Sequence, residues 1–118
     1  MFVRKSMKDK MERQKEIFGT ARRGLNYFNN YFGLEYPFSK LDLVFVPDIS
    51  YDALSTQGCL SFKEKFLSPV SEFDHIALSS TILHEIVHQW FGNLTTMKWW
   101  DDLWIIESMA VYMADRAL

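Results

Sequence analysis

The chain has 118 residues, 48% of them apolar, with ten Phe, five Tyr and four Trp. That length suits one domain over residues 1–118 and is long enough to bury a core. Thirteen basic and fifteen acidic residues give a net charge of -2. Without a basic excess, neither a nucleic-acid partner nor an anionic membrane surface is indicated. No apolar stretch approaches membrane-spanning length.

The single cysteine, Cys59, cannot form an internal disulfide, so the sequence does not call for an oxidising compartment. The N-terminal stretch MFVRKSMKDKMERQKE is too charged for a signal peptide. We therefore expect a cytoplasmic location.

The first predicted element is a helix over residues 6–33, SMKDKMERQKEIFGTARRGLNYFNNYFG. Apolar residues at spacings of three and four form one stripe along this helix: Phe18, Ala21, Leu25, Phe28 and Phe32. Gly33 is typical of a helix C-terminus. Gly19 and Gly24 weaken the helix interior, because glycine is a poor helix former.

Two strands and a second helix are predicted next. The apolar run KLDLVFVPD, residues 40–48, indicates a buried strand, and GCLSFKEKF, residues 58–66, indicates a weaker one. Ser71 and Asp74 have the spacing of a capping box. The helix that starts there is predicted to continue to Gly92.

The last predicted helix covers residues 103–118, LWIIESMAVYMADRAL, after the loop NLTTMKWWDD. One face of this helix carries four apolar residues: Leu103, Ile106, Ala110 and Met113. The order helix, strand, strand, helix, helix predicts an α/β or α+β fold, with helices packed on a small sheet.

The segment STILHEIVHQWFG carries two histidines four positions apart. On a helix, His84 and His88 lie one turn apart on the same face, so both rings can point at one metal ion. Glu85 is rotated by about 100° from His84, which brings its carboxylate beside that ion. Zinc lowers the pKa of a bound water toward about 7, so Glu85 can deprotonate it. The pattern H-E-x-x-H would occur by chance in a chain of this length with a probability on the order of 1%.

A third ligand is needed, because catalytic zinc usually takes three protein ligands and a water. No histidine follows His88, and His75 lies nine positions before His84, where a surface or capping role is expected. Glu107, 19 positions after His88, is the remaining candidate. A helix pair joined by a loop of about ten residues would bring it to the metal. Glu107 could instead be an ordinary solvent-exposed residue of the helix, but its apolar neighbours argue against this. These neighbours are Ile105, Ile106, Met109 and Ala110.

The stretch HEIVHQWFGNLTTMKWWDDLWIIES resembles the zinc-binding core of the aminopeptidase N family of gluzincins. Those proteins carry H-E-x-x-H, eighteen intervening residues and a glutamate, with Q-W-F-G-N and W-W-x-D-L-W between them. The segment NYFNNYFGLEYPFSKLDLVFVPD is also similar to the family, so the resemblance extends from about Glu12 to Leu118. It implies part of a thermolysin-like zinc-peptidase catalytic core, which hydrolyses peptide bonds through a zinc-activated water.

The resemblance also implies a role for individual residues. One Zn²⁺ per chain is held by His84, His88 and Glu107. Glu85 is the general base. Asp102 and Asn93 are candidates for orienting a ligand or supporting the site, since a carboxylate often orients a ligand histidine. The tryptophans at 99, 100 and 104 are expected to pack rather than to contact substrate.

The substrate-binding segment departs from the family pattern. Family members bind the free amino terminus of the substrate with Gly-Ala-Met-Glu-Asn, whose glutamate pairs with the ammonium group. The aligned residues 52–56 are DALST, in which Ala53 is kept and Ser55 replaces the glutamate. A hydroxyl cannot replace that charge-assisted bond, and Asp52 is expected on the opposite face of an extended strand. We expect Ser55 and Ala53 to bind substrate without a preference for a free amine.

Two functions stay open at this point. The first is a zinc peptidase of aminopeptidase type, which Glu85 favours because a structural zinc site needs no base and prefers four protein ligands. The second is a non-catalytic or weakly active zinc-binding fragment of the same family. Ser55 favours it, as does the end of the chain before the family's oxyanion-stabilising tyrosine. Companion domains of the family are also missing, so we expect exposed apolar surface and self-association or a partner chain.

Overall fold

The chain folds as three α-helices packed on a small mixed sheet, as seen in a computed structural model that describes residues 1–68 and 71–118. The α-helices are α1 Gln14–Phe32, α2 Glu72–Val87 and α3 Leu103–Ala117. The strands are β1 Asp42–Val46, β2 Ala53–Thr56 and β3 Cys59–Lys63, and 3-10 helices cover Lys5–Arg13, Glu64–Leu67 and Trp100–Asp102. The expected α+β class is confirmed. Within the described ranges, no helix has the length and apolar character needed to cross a membrane.

The first helix differs from its prediction in its start and in its buried face. Residues Lys5–Arg13 wind as a 3-10 helix, and α1 follows and ends at Gly33, whose φ of 62° is left-handed as a helix-ending glycine requires. Phe18 is exposed, so its place in the predicted apolar stripe is wrong. The face that packs inward carries Ile17, Thr20, Ala21, Gly24 and Phe28.

Gly24 explains why the buried face lies where it does. A Cβ atom at this position would lie 2.7 Å from Leu83 Cδ2 and 3.2 Å from Ile86 Cδ1, both on α2. These two side chains are buried. The glycine that weakens an isolated helix therefore permits close contact between α1 and α2.

The sheet has the strand order β1-β3-β2, with β1 parallel and β2 antiparallel to β3. Alternate residues of β1 and β3 are buried, and the paired rings of Phe45 and Phe62 stack with centroids 5.3 Å apart. The two predicted strands are present. The predicted element order counts two strands, and the extended segment expected at residues 52–56 forms the third, the edge strand β2, although its four residues carry no apolar alternation.

Helix α2 starts as predicted and ends earlier. The capping box at Ser71 and Asp74 is confirmed, with the Asp74 carboxylate accepting from the Ser71 backbone N–H at 2.8 Å. The helix ends at Val87, so the predicted continuation to Gly92 is wrong. The chain turns instead, and Gly92 has a φ of 122°, which a non-glycine residue rarely adopts. Helix α2 packs against α1, α3 and β2.

Helix α3 is buried at its second half only. Ala110 and Met113 lie in the core as predicted, whereas Leu103 is exposed. The side chains of Trp99, Trp100 and Trp104, here called the tryptophan surface, are 65%, 70% and 66% exposed. No described element covers them, so the expected packing is not made within the described residues, and the expectation that they do not contact substrate stays a prediction. A surface of this kind is typical of a contact with another protein surface.

Gly24→Ala is expected to lower the free energy of unfolding by about 1–3 kcal/mol, because the added methyl group overpacks the contact with α2. Gly19→Ala is the matched control. Its Cβ would meet only the flexible end of the Arg23 side chain, at 3.1 Å. Because alanine is a better helix former than glycine, the free energy of unfolding is expected to rise by up to about 1 kcal/mol. Urea unfolding of both variants measures the difference. Equal stabilisation of both would contradict the packing argument.

The tryptophan surface is expected to drive self-association. Sedimentation velocity should show an average mass that rises with protein concentration. The double substitution of Trp100→Ser and Trp104→Ser should make that rise smaller. Phe73→Ser is the control, because Phe73 is equally exposed but lies on α2, away from this surface. A concentration-independent monomer in the unsubstituted chain would refute the prediction.

Candidate metal centre and the polar network behind it

Helices α2 and α3 bring three metal-ligating side chains to one point. The Nε2 atoms of His84 and His88 are 3.0 Å apart. The Glu107 carboxylate lies 3.6 Å from His84 Nε2 through Oε2, and 3.7 Å from His88 Nε2 through Oε1. All these ligand atoms lie within 4.8 Å of one another. The sequence-predicted trio is thus a cluster that could hold a metal ion.

The spacing of the three groups fits tetrahedral zinc. Ligand atoms about 2.0–2.1 Å from a tetrahedral ion are about 3.3 Å from each other. The two nitrogens are 3.0 Å apart, and each lies 3.6 to 3.7 Å from a different oxygen of Glu107; with one oxygen from Glu107, the three ligand atoms lie within 4.8 Å of one another. Two imidazoles and a carboxylate are also the ligand types that catalytic zinc takes, with one position left open. The Glu107 side chain is 57% exposed, so solvent reaches this side of the cluster.

The His88 ring is oriented by a backbone carbonyl. Its Nδ1 lies 3.0 Å from the Phe91 oxygen, a contact in which Nδ1–H donates and Nε2 keeps its lone pair for a metal. Gly92 follows Phe91 directly, and its φ of 122°, which a non-glycine residue rarely adopts, sets the turn that carries this carbonyl. Asp102, predicted for such a role, has an exposed side chain at the start of α3. Among the described residues, the ring nitrogens of His88 lie near Phe91, His84 and Glu107 instead.

Burial shapes the charge state of the centre. It lowers the pKa of His84, with His88 contributing and Glu107 partly opposing, so the neutral, ligating imidazole is favoured. Glu85 is buried beside the cluster. Burial raises the pKa of Glu85 to about 7, and the negative charge of Glu107 contributes. A bound cation would favour the carboxylate form, so Glu85 can hold or release a proton near neutral pH.

The remaining histidine lies elsewhere. His75 Nδ1 is 3.1 Å from both carboxylate oxygens of Glu16, and its side chain is exposed. This agrees with the surface position expected for it. His75 is therefore a control histidine for experiments on the centre.

The cluster borders an open cleft shared with the edge strand β2. Ala53, Leu54 and Ser55 of β2 all line this cleft, and Ala53 and Ser55, at alternate positions, share one face of the strand. Asn93 also lines it, through contact with Ser55 rather than with a histidine. Other lining residues include Tyr51, Thr96, Met97, Leu103 and Ile106.

A buried amide that the sequence analysis missed joins the cleft to the sheet. Gln89 is 0% exposed and follows His88 directly. Its Oε1 accepts from the Gly58 N–H at 2.9 Å, and its Nε2 donates to Ser55 Oγ at 2.6 Å and to the Thr56 oxygen at 3.0 Å. The available signal was an amide next to the buried residues His88 and Trp90, since a buried amide must have partners.

A helix-borne pair of histidines, a glutamate from the next helix and a buried carboxylate beside them define a metallopeptidase-type site on an α+β fold. Residues 17–118 match the peptidase family M1 domain. The chain belongs to this family, and the predicted resemblance to aminopeptidase N is confirmed.

Three relatives show the extent of the similarity. Probable aminopeptidase 2 of Sulfurisphaera tokodaii is 35% identical over 112 residues, which are 92% of this chain and 14% of that protein. Aminopeptidase N of Streptomyces lividans is 40% identical over 98 residues, 81% of this chain and 11% of that protein. Endoplasmic reticulum aminopeptidase 2 of Bos taurus is 42% identical over 93 residues, 75% of this chain and 10% of that protein. The chain thus spans only 10–14% of these relatives' length.

Proposed function

We propose that residues 1–118 form part of the catalytic domain of a zinc-dependent peptidase of aminopeptidase type. Its substrates are peptides, and one Zn²⁺ per chain is the cofactor. The observation that carries the proposal is the convergence of His84, His88 and Glu107 on one point, with Glu85 beside them. Family membership and the printed names of the relatives support the same activity. A cytoplasmic location stays a prediction of the sequence.

Each residue of the centre has a chemical task in this proposal. When bound, zinc supplies a Lewis acid that polarises a peptide carbonyl and lowers the pKa of a water. His84, His88 and Glu107 hold the ion. Glu85 accepts a proton from the attacking water and passes it to the leaving amine, because it is buried beside the ligands and a bound cation would favour its carboxylate form. Peptide bound along β2, past Ala53 and Ser55, would present its carbonyl to the centre.

A zinc-binding chain with little or no hydrolysis is the second candidate. The observation in its favour is the exposure of Glu107, which leaves one side of the centre open to water. Water in an active site weakens the electrostatic interactions that stabilise a transition state. Hydrolysis assays of the zinc-loaded chain distinguish this candidate from the first, because both predict the same metal content.

Zinc binding is tested by metal analysis of single variants. The unsubstituted chain is expected to bind about one zinc, and His88→Ala to lose it, because two ligands seldom hold the ion. Glu107→Ala should weaken zinc binding in a chelator competition. His75→Ala is the control and should bind zinc as the unsubstituted chain does. Full zinc retention by both His84→Ala and His88→Ala would refute the site.

Glu85→Gln separates metal binding from hydrolysis. The substitution is expected to leave the zinc content unchanged, because Glu85 is not a ligand, and to lower kcat by about 10²–10⁴-fold, as removal of a general base does. Amino-acid arylamide hydrolysis and metal analysis on the same samples provide the two measurements. If Glu85→Gln and Glu107→Ala change zinc content alike, the division of roles between the two glutamates is incorrect.

A further inference from the structure

The metal-ligating residue His88 lies where the regular bonding of α2 ends. The helix ends at Val87, and the His88 N–H reaches the His84 carbonyl at 3.3 Å, longer than the usual distance of about 2.9–3.0 Å. The next N–H, that of Gln89, bonds to the carbonyl three positions back, on Ile86, at 3.0 Å. A tightened last turn of this kind is typical of a helix terminus. The position of the His88 ring therefore depends on support from outside α2.

Gln89 connects this last turn to the hairpin formed by β2 and β3. Its side chain is fully buried. Oε1 accepts from the Gly58 N–H at 2.9 Å, and Nε2 donates to the Thr56 carbonyl at 3.0 Å and to Ser55 Oγ at 2.6 Å. The orientation of the amide is determined, because a backbone N–H only donates and a carbonyl only accepts. The residue that follows His88 is thus held to the hairpin by three hydrogen bonds.

A second connection reaches the same hairpin from the His88 carbonyl. The Asn93 N–H donates to that carbonyl at 3.0 Å, and Asn93 Nδ2 donates to Ser55 Oγ at 3.1 Å. Ser55 Oγ accordingly accepts from both Gln89 and Asn93. Gln57, in the hairpin turn, donates through Nε2 to the Asn93 carbonyl at 3.3 Å. The backbone on both sides of the His88 peptide group is therefore tied to β2 and its turn.

A buried amide can also serve the fold alone, since any buried amide needs partners. Gln89 differs from such a case because it directly follows a residue of the metal centre. His84, His88 and Glu107 can share one ion only while their spacing is kept. A shift of the last turn of α2 would change that spacing directly. Loss of the Gln89 bonds should therefore weaken metal binding by more than a general loss of stability does.

We propose that Gln89 is a positioning residue that couples the β2–β3 hairpin to the metal centre. The inference rests on the zinc binding in the proposed function. The anchored hairpin keeps His88 in place for the ion. Bound zinc in turn keeps the hairpin in place, because a coupling between two sites acts equally in both directions. The wall of the cleft that β2 forms is then held most firmly when the metal is bound.

Zinc affinity, measured by chelator competition, tests the first direction of the coupling. Gln89→Met keeps a long buried side chain but removes the amide, and it is expected to weaken zinc binding by about five- to tenfold, the effect of one or two lost hydrogen bonds. Phe45→Leu is the control. It removes volume from the core on β1, which lowers stability without touching α2's polar end, so zinc affinity should be unchanged. Urea unfolding of the metal-free variants compares their stabilities.

A milder variant keeps the test open if Gln89→Met does not fold. Ser55→Ala removes the shared acceptor of Gln89 and Asn93 at a half-buried position, and it should weaken zinc binding by about two- to fivefold. Ser61→Ala is its matched control. Ser61 follows Leu60, which lies opposite Ser55 in the sheet, so its side chain faces the other way and zinc affinity should not change.

The reverse direction can be measured at Cys59, the single cysteine of the chain, which follows Gly58 directly and is half-buried. Zinc loading is expected to slow alkylation of Cys59 by iodoacetamide, followed by mass spectrometry. The rate should fall by up to the factor by which Gln89→Met weakens zinc binding. In Gln89→Met itself, the alkylation rate should be the same with and without zinc, because the connection between the two sites is lost.

Two results overturn the inference. One is an unchanged zinc affinity in both Gln89→Met and Ser55→Ala. The other is an alkylation rate of Cys59 that zinc does not alter in the unsubstituted chain, or alters equally in Gln89→Met. Either result leaves the proposed function intact, since zinc still binds. A chain that shows the coupling but hydrolyses no amino-acid arylamide contradicts the proposed function and upholds the inference. A chain that binds no zinc in metal analysis refutes both.

Discussion

The fold depends on one constraint on α2. The buried side of this helix forms the centre of the core, and its C-terminal end also carries polar groups of the site. It packs against α1, α3 and β2, and its buried apolar residues are Leu78, Ile82, Leu83, Ile86 and Val87. A polar group buried in such surroundings is costly unless it is hydrogen-bonded. In the described ranges, every buried side-chain nitrogen or oxygen has a partner. The partners of His88 and Gln89 lie in the turn after α2 and in the sheet, so satisfying them fixes both elements relative to the helix.

Features that depend on local geometry could be predicted from the sequence. The spacing of His84 and His88 and the capping box at Ser71 follow from the helical repeat, and the structure has both on α2 or at its ends. The two apolar strands follow from their composition. Glu107 is more distant in sequence, and it could be singled out only because few candidate ligands remain and because the family resemblance has the same spacing.

Features that depend on distant contacts could not be predicted. The buried face of α1 is set by the approach of α2 at Gly24, which leaves Phe18 outside although its spacing fits the apolar stripe. The ring of His88 is oriented by the Phe91 carbonyl, and a backbone acceptor has no sequence signature. Gln89 could be flagged as a buried amide, but its partners lie 31 to 34 positions away, on β2 and in the turn after it, and no local pattern pairs them with Gln89.

The three ligands come from two helices, so metal binding would be coupled to the stability of the packing between α2 and α3. Helix α3 is held mainly by its second half, through Ala110, Met113 and Ala114, while its first half is largely exposed. An ion bound by α2 and by Glu107 would act as a cross-link at that weakly packed end. By thermodynamic linkage it would add about 2.7 kcal/mol to folding at a free concentration 100 times its dissociation constant. Removing it with a chelator would first release the start of α3, so hydrogen exchange there becomes a measure of metal saturation.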